Sequence, residues 1–153
     1  MEEQEYRATY QEINQRRCIF EKAINSRRCA CEQSARFCLA DREGIACNSE
    51  NGNKLCIEFL GTMRHKARFS LQMTRADGPL PHNKEIRVQT GGLLGLQKLL
   101  CPERENSDAV ENVYELVNQA ISEFGQLDAL PYDRIVQAIV SFQGRRKRGK
   151  RNS

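Results

Sequence analysis

The sequence predicts an α+β fold with an N-terminal helix, a cysteine-rich segment that contains a small antiparallel β-hairpin sheet, and a C-terminal helical portion. Three observations lead to this prediction. Apolar residues recur at three- and four-residue steps near the N-terminus, an Asn-Gly pair interrupts an apolar stretch in the middle, and wide apolar stripes follow near the C-terminus. The 153 residues are the size of one domain.

The N-terminal segment is expected to be helical. In residues 2–26 the apolar side chains are spaced as on one face of a helix, with Glu near the start and Arg near the end, charges that suit the helix dipole. Residues 32–42 predict a second, shorter helix, for which Gly44 is a natural stop. Cys31 and Cys38 are seven residues apart and would share one face of a continuous helix.

A β-hairpin is predicted in the middle of the chain. Asn51-Gly52 lies at the centre of residues 45–57, and Asn-Gly is the strongest short signal for a two-residue hairpin turn. With that turn, Cys47 lies directly opposite Cys56, where Cβ atoms are roughly 4.5–5.5 Å apart. The predicted hairpin therefore places two thiols on one face of the sheet, as two ligands of one metal centre would be placed.

Further elements complete the predicted sheet. A three-residue loop at 64–66 would make a second hairpin that pairs Ile57 with Met73 on an apolar face. Residues 75–83 hold Gly, two Pro and Asn and predict a loop. Residues 85–89 could add a short third strand.

The C-terminal portion is predicted to be helical. Thr90-Gly91-Gly92 is interpreted as a strand-to-helix turn, because the P-loop and dinucleotide-binding glycine motifs are both missing around it. The short helix that follows ends before Pro102. Asp108 and Glu111 have capping-box spacing at the start of the next helix, and Pro131 opens a last helix that stops at Gly144.

Charge is concentrated at the C-terminal end. Residues 145–153 hold six basic residues and no acid, and the rest of the chain carries 18 basic and 20 acidic residues. We expect a single domain over residues 1–144, with a cysteine-rich metal-binding part at about 18–60 and a helical part at about 92–144. Residues 145–153 are predicted to be a disordered basic tail.

Six of the seven cysteines fall within residues 18–56, and this concentration predicts a thiolate-lined site. We expect a cytoplasmic protein, because no secretory signal and no stretch of membrane-spanning length is visible in the sequence. Thiols stay reduced in the cytoplasm, where a cysteine cluster indicates metal binding or catalysis more often than disulfides. The spacing lacks the short Cys pairs of structural zinc sites, and it favours an iron–sulfur cluster of the [4Fe–4S] type, with zinc as the alternative.

Four ligands are expected from five candidate cysteines. The predicted set is Cys29, Cys38, Cys47 and Cys56, with Cys31 as the alternative fourth ligand. Cys29 and Cys31 point in different directions in either regular structure, so one of them would pack while the other binds.

The other two cysteines and the two histidines are weaker candidates for metal ligands. Cys18 and Cys101 are interpreted as packing residues, since a free cysteine also behaves as a small buried hydrophobe. His65 and His82 are expected in loops, where a solvated role is commoner than metal binding. No catalytic residues are predicted.

Three function hypotheses follow from this sequence. The first is a small iron–sulfur protein that serves as an electron-transfer or accessory subunit of a larger redox complex, rather than a stand-alone enzyme. The second is a zinc-stabilised binding module that contacts nucleic acid or an acidic partner through its basic tail. The third is a metal-free scaffold subunit. Nucleic-acid binding is not favoured, because the sequence shows neither a basic helix face nor interleaved aromatic residues.

Overall fold

The computed structural model describes residues 2–72 and 80–142. Within these residues lie a two-stranded antiparallel sheet and helices on both sides of it in the sequence, which confirms the predicted α+β fold. The strands are β1 (Ser34–Leu39) and β2 (Arg42–Cys47). The helices are α1 (Glu3–Ile13), α2 (Glu21–Asn25), α3 (Glu50–Ala67), α4 (His82–Ile86), α5 (Gly92–Leu100), α6 (Val113–Phe124) and α7 (Tyr132–Ser141).

The sheet is a tight hairpin. Ala40 and Asp41 connect β1 to β2 with φ angles of 51° and 70°, the left-handed region that a two-residue hairpin turn of type I′ requires at both positions. Phe37 lies opposite Gly44, where a Cβ atom would overlap the Phe37 ring. The missing side chain of Gly44 therefore leaves room for the aromatic ring to lie across the hairpin.

The helix predicted for residues 32–42 is wrong, since this segment supplies β1 and the hairpin turn. The helix predicted for residues 2–26 forms only in two pieces, α1 and α2. It breaks at Asn14, whose side-chain amide donates hydrogen bonds to the hydroxyl of Tyr10 at 2.9 Å and to the carbonyl of Ile45 at 3.0 Å. Tertiary bonds to β2 thus replace the continuation of the helix.

The hairpin predicted around Asn51-Gly52 is wrong, because these residues form the first turn of α3. The side chain of Ser49 accepts a hydrogen bond from the N–H of Gly52 at 2.9 Å and caps the helix. An acidic residue in the first turn and three basic residues in the last turn also suit the helix dipole. These helix signals outweigh the local turn preference of Asn-Gly.

The other predicted strands are also absent from the described residues. Helix α3 continues through residues 64–66, so the second hairpin does not form, and Met73 lies outside the described residues, as does most of the predicted loop 75–83. Residues 85–89 belong to α4 and to a π-helical turn, Arg87–Gly91, which joins α4 to α5. Thr90-Gly91-Gly92 therefore lies within a helical run and does not connect a strand to a helix.

The C-terminal helices follow the sequence more closely. Helix α5 ends before Pro102, and Pro131 immediately precedes α7, as predicted. Helix α6 begins at Val113, later than the capping-box spacing of Asp108 indicates.

The core lies between the long helices, with the hairpin packed beside it. Met63 on α3 packs against α5 at Gly92, where a Cβ atom would overlap the Met63 sulfur. At Gly95 a Cβ atom would lie 2.7 Å from the Cβ of Ala138, so glycines also set the close approach of α5 to α7. The largest fully buried apolar side chains are Phe20, Ile45, Phe59, Leu60, Met63, Leu93, Leu96, Ile135 and Ile139.

One ion pair is built into this core. The guanidinium of Arg64 donates two hydrogen bonds to the carboxylate of Glu85, at 2.7 and 3.2 Å. Gln89 and the backbone N–H of Leu80 donate to the same carboxylate at 2.7 and 3.1 Å. Because Glu85 is only 1% exposed, these four donors are what make burial of its charge tolerable.

Across the two described stretches, no helix combines the length and apolar character that a bilayer span requires. The predicted division into one domain and a tail stays a prediction, and residues 145–153 lie outside the described residues.

Candidate metal centre

Four cysteine side chains line one small pocket of about 20 Å³. They are Cys18, Cys31, Cys47 and Cys56. Each comes from a different part of the chain: the segment before α2, the segment before β1, the end of β2, and the middle of α3. The rest of the wall is mainly apolar and includes Ile19, Phe20, Val113 and the ring-bearing Tyr114. The pocket thus gathers thiols that the sequence separates by up to 38 positions.

A short stretch of antiparallel pairing brings Cys18 to β2. Arg17 lies opposite Ala46 in an isolated bridge. The N–H of Cys18 donates to the carbonyl of Ile45 at 2.9 Å, and the N–H of Cys47 donates to the carbonyl of Arg16 at 2.8 Å. The segment that follows α1 therefore acts as a third short strand beside β2, and it holds Cys18 close to Cys47.

A second bridge positions Cys31. Cys29 pairs in parallel with Val110, and the N–H of Val113 donates to the carbonyl of Ala30 at 2.9 Å. The next residue, Cys31, lies at the first turn of α6, where the N–H of Tyr114 donates to its sulfur. The N–H of Gln33, two residues on, donates to the same sulfur.

Helix α3 supplies the fourth thiol and part of the pocket wall. Cys56 lies one turn after Gly52, which also lines the pocket. A Cβ atom on Gly52 would lie 2.9 Å from the Tyr114 ring, so glycine permits the close approach of α3 to the start of α6. The first turns of two helices therefore border the pocket, and helix N-termini favour negative charge such as that of a thiolate.

The thiols in this pocket interact electrostatically with one another. Burial is the main cause that raises the pKa of Cys18 to about 12, and the nearby Cys31 and Cys47 contribute to this shift. Burial also raises the pKa of Cys56 well above its usual range, with Cys18, Cys31 and Cys47 as additional causes. The pKa of Cys31 is raised by burial too, although the N–H donors of Gln33 and Tyr114 oppose the shift. Removing several protons from these thiols is therefore unfavourable unless a cation offsets the charge.

The four thiols line the same pocket, but their positions are not those of ligands around one metal ion. In residues 2–72 and 80–142, no three Cys, His, Asp or Glu side chains have the mutual spacing that would hold a metal ion. Cys47 shows one reason, since its thiol donates to the carbonyl of Ser49 at 3.3 Å. Metal binding here requires side chains to change rotamer, and the three staggered χ1 positions of cysteine provide such alternatives.

The structure brings together two of the four cysteines in the predicted set. Cys47 and Cys56 line the pocket, although not as a cross-strand pair, and Cys31, the predicted alternative, joins them. Cys29 is 5% exposed in the core, where burial raises the pKa of its thiol to about 12. Cys38 is exposed on β1, and it takes no part in the pocket.

The remaining cysteine and the histidines lie elsewhere. Cys18, interpreted from the sequence as a packing residue, lines the pocket. Cys101 follows α5 and lines a different cavity, together with Gln97. His65 lies on α3 and not on a hairpin tip, and His82 lies at the start of α4, 3.0 Å from the amine of Lys22.

Comparison of the chain with protein-family models, with curated proteins and with solved structures found no match. The functional argument therefore rests on the geometry of the chain itself.

Proposed function

We propose that this protein is a metal-binding module in which Cys18, Cys31, Cys47 and Cys56 bind one Zn²⁺ ion as thiolates. The observation that carries the proposal is the convergence of four thiols, from four separate segments, on one pocket. Four cysteines without an open position are the ligand set of a structural zinc site, so the proposed ion stabilises the fold and does not catalyse a reaction.

The size of the pocket favours a single ion. A volume of about 20 Å³ is close to what one water molecule needs. A [4Fe–4S] cluster has eight core atoms and needs far more room, although the irregular Cys spacing is compatible with it. The iron–sulfur hypothesis, with Cys29, Cys38, Cys47 and Cys56 as ligands and Cys31 as the alternative, stays a prediction, and the experiment below separates it from the zinc proposal.

Two further features support thiolate ligation. The N–H of Phe20 donates to Cys18, and the N–H of Gln33 donates to Cys31, both two residues after the cysteine. Such donors orient sulfur ligands and offset their charge. All seven cysteines are free thiols, so no disulfide withdraws any of them from ligation. The compartment that we propose is a reducing one such as the cytoplasm.

The proposed ion would add a cross-link between parts of the chain that already pack together. It would join the segment before α2, the segment before β1, the end of β2 and α3. At a metal concentration about 1,000 times the dissociation constant, binding adds about 4 kcal/mol to the free energy of unfolding. In this proposal the metal stabilises the fold, and a partner would bind to the outer surface of the module.

The test is a titration of metal-free full-length protein with Zn²⁺ and with Co²⁺, whose thiolate complexes are coloured. We expect one ion per chain. Separate Ser substitutions at Cys18, Cys31, Cys47 and Cys56 should each weaken binding by at least tenfold. Cys38→Ser and Cys101→Ser are the matched controls, and both should bind as the natural sequence does.

Two outcomes would contradict the zinc proposal. If the Cys38→Ser control weakens binding as much as Cys56→Ser, the pocket is not the site. If anaerobically purified protein is brown, bleaches with dithionite and contains iron and sulfide, the bound group is an iron–sulfur cluster and not zinc.

A further inference from the structure

A second candidate site lies beside α1. An open groove of about 840 Å³ runs between α1, the segment 14–22 and the Arg42 end of β2. It shares no lining residue with the cysteine pocket. It is therefore independent of the proposed metal, and it holds aromatic, cationic and amide side chains.

The aromatic and guanidinium groups of this groove are stacked in pairs. The guanidinium carbon of Arg42 lies 4.3 Å from the centre of the Tyr6 ring, and that of Arg17 lies 5.4 Å from the Tyr10 ring. The two tyrosine rings are 6.0 Å apart between centres. The groove thus presents two planar cation–π pairs side by side, held by the fold before any ligand arrives.

Positive charge exceeds negative charge in the groove. Two carboxylates line it, and both are neutralised by arginines. Glu3 accepts from Arg42 at 2.7 Å and from Arg7 at 3.2 Å. Glu21 is 7% exposed; it accepts from Arg17 at 2.9 Å and also from the hydroxyl of Tyr10. The lining cations are Arg7, Arg17, Lys22 and Arg42, which leaves an excess of two positive charges.

One buried acceptor in the groove wall is unsatisfied. Asn14 is 6% exposed, and its amide nitrogen donates to Tyr10 and to Ile45. Its Oδ1 has no hydrogen-bond partner. An unpaired buried acceptor is unfavourable, and a donor from a bound molecule would remove that penalty.

We propose that this groove binds single-stranded nucleic acid. Phosphates would contact the cations at its rim, Arg7 and Lys22, and a base would stack on the Tyr6–Arg42 pair, as bases stack on aromatic and guanidinium planes in single-strand binders. An exocyclic amino group or ring N–H of a base supplies the donor that Asn14 Oδ1 lacks. An acidic peptide would use the cations but neither the stacking planes nor the acceptor, so nucleic acid fits the groove better.

This surface could not be predicted from the sequence alone. The interleaving of Tyr and Arg arises in space, because Arg42 reaches Tyr6 from the hairpin and Arg17 reaches Tyr10 from the segment after α1. The basic residues of 145–153 would add affinity that is electrostatic and independent of sequence.

The test is fluorescence anisotropy of full-length protein with labelled mixed-sequence oligonucleotides of about 16 nucleotides, as RNA and as DNA, over a series of salt concentrations. Tyr6→Leu should weaken binding by about tenfold, whereas Tyr6→Phe, which keeps the stacking plane, should not. Arg7→Gln combined with Lys22→Gln should lower the slope of log K against log salt by about 1.4. The affinities for the RNA and the DNA oligonucleotides show which of the two nucleic acids is preferred.

Two controls make the result decisive. Lys98→Gln combined with Arg134→Gln removes the same charge from exposed positions on α5 and α7, and should leave the affinity within twofold. A full-length variant with the six basic residues of 145–151 changed to Gln should weaken binding but keep the effect of Tyr6→Leu. Any one of three results would overturn the proposal. The two double variants weaken binding equally, Tyr6→Leu leaves the affinity unchanged, or polyglutamate binds as tightly as the oligonucleotides.

Discussion

The N–H of Cys18 donates a hydrogen bond to the carbonyl of Ile45 at 2.9 Å. This bond ties the segment between α1 and α2 to β2 and aligns Cys18 with the strand that ends in Cys47. The same segment carries Arg17, which stacks over Tyr10 in the neighbouring groove. One short backbone pairing therefore serves both candidate sites: it places a thiol on one side of the hairpin and a guanidinium on the other.

Zinc binding should release about four protons per ion at neutral pH. Thiols with a pKa of about 8.5 or higher are protonated at pH 7, and burial raises the pKa values of Cys18, Cys31 and Cys56 further. The apparent affinity should consequently fall steeply as the pH is lowered. Calorimetric titration in buffers with different ionisation enthalpies counts the protons. A release of two or fewer would mean that the ion does not bind all four thiols.

Metal-free protein should lose stability as the pH rises from about 9 towards 12. The folded state raises the pKa values of Cys18 and Cys29 to about 12, so above pH 9 the folded chain keeps protons that the unfolded chain releases. Between about pH 9 and about pH 12, each such thiol lowers the free energy of unfolding by up to about 1.4 kcal/mol per pH unit. Below about pH 9 the thiol is protonated in both states, so its stabilising contribution is fully present. Urea unfolding with a chelator present measures the slope. Cys18→Ala should reduce the slope, and the exposed Cys38→Ala should not.

The sequence predicted the C-terminal helices well because their signals are local and long. Helix α7 follows Pro131 and repeats apolar residues over several turns, so propensity and burial agree there. In residues 32–42 the local propensity and the pattern of burial do not agree in this way. Their hairpin depends on Ala40 and Asp41 adopting left-handed φ angles, and neither residue is the glycine that usually marks such a turn.

The candidate site was only partly predictable for a related reason. The concentration of cysteines in residues 18–56 predicts the region in which the pocket lies, and Cys47 and Cys56 belong both to the predicted set and to the pocket. Cys18 and Cys31 reach the pocket through the neighbouring bridges Arg17–Ala46 and Cys29–Val110, whose partners are 29 and 81 positions apart in the sequence. Pairing at that separation leaves no periodic signal in the local sequence, so spacing rules could not select the four cysteines that line the pocket.

Gly52→Ala should destabilise the protein although alanine is the better helix former. The new Cβ atom would lie 2.9 Å from the Tyr114 ring and 3.0 Å from the Ser49 hydroxyl. Such overpacking costs about 1–3 kcal/mol, against a gain of about 1 kcal/mol in helix propensity. Gly61→Ala is the control in the same helix, because a Cβ there meets nothing within 4 Å and should stabilise by up to about 1 kcal/mol. Thermal unfolding compares the two, and equal effects would contradict the close approach of α3 to α6.

Ser49→Ala should destabilise metal-free protein by about 1 kcal/mol, because it removes the side-chain oxygen that caps α3. The same change should weaken zinc binding, since α3 carries Cys56 and its first turn borders the pocket. Ser49→Asp restores a capping acceptor and should recover the stability. Urea unfolding and zinc titration of the three proteins provide the measurement. An unchanged zinc affinity for Ser49→Ala would show that the first turn of α3 does not position Cys56.

Arg64→Met should cost about 3–5 kcal/mol, because it leaves the carboxylate of Glu85 buried without its main partner. Arg64→Met combined with Glu85→Leu removes both charges and should cost less than Arg64→Met alone. The exposed pair of Arg7 and Glu3 provides the comparison, and Arg7→Met should change the free energy of unfolding far less than Arg64→Met does. Urea unfolding of the four proteins measures these differences. A cost for Arg64→Met as small as that for Arg7→Met would mean that water reaches Glu85 and that the core between α3 and α4 is looser than its contacts indicate.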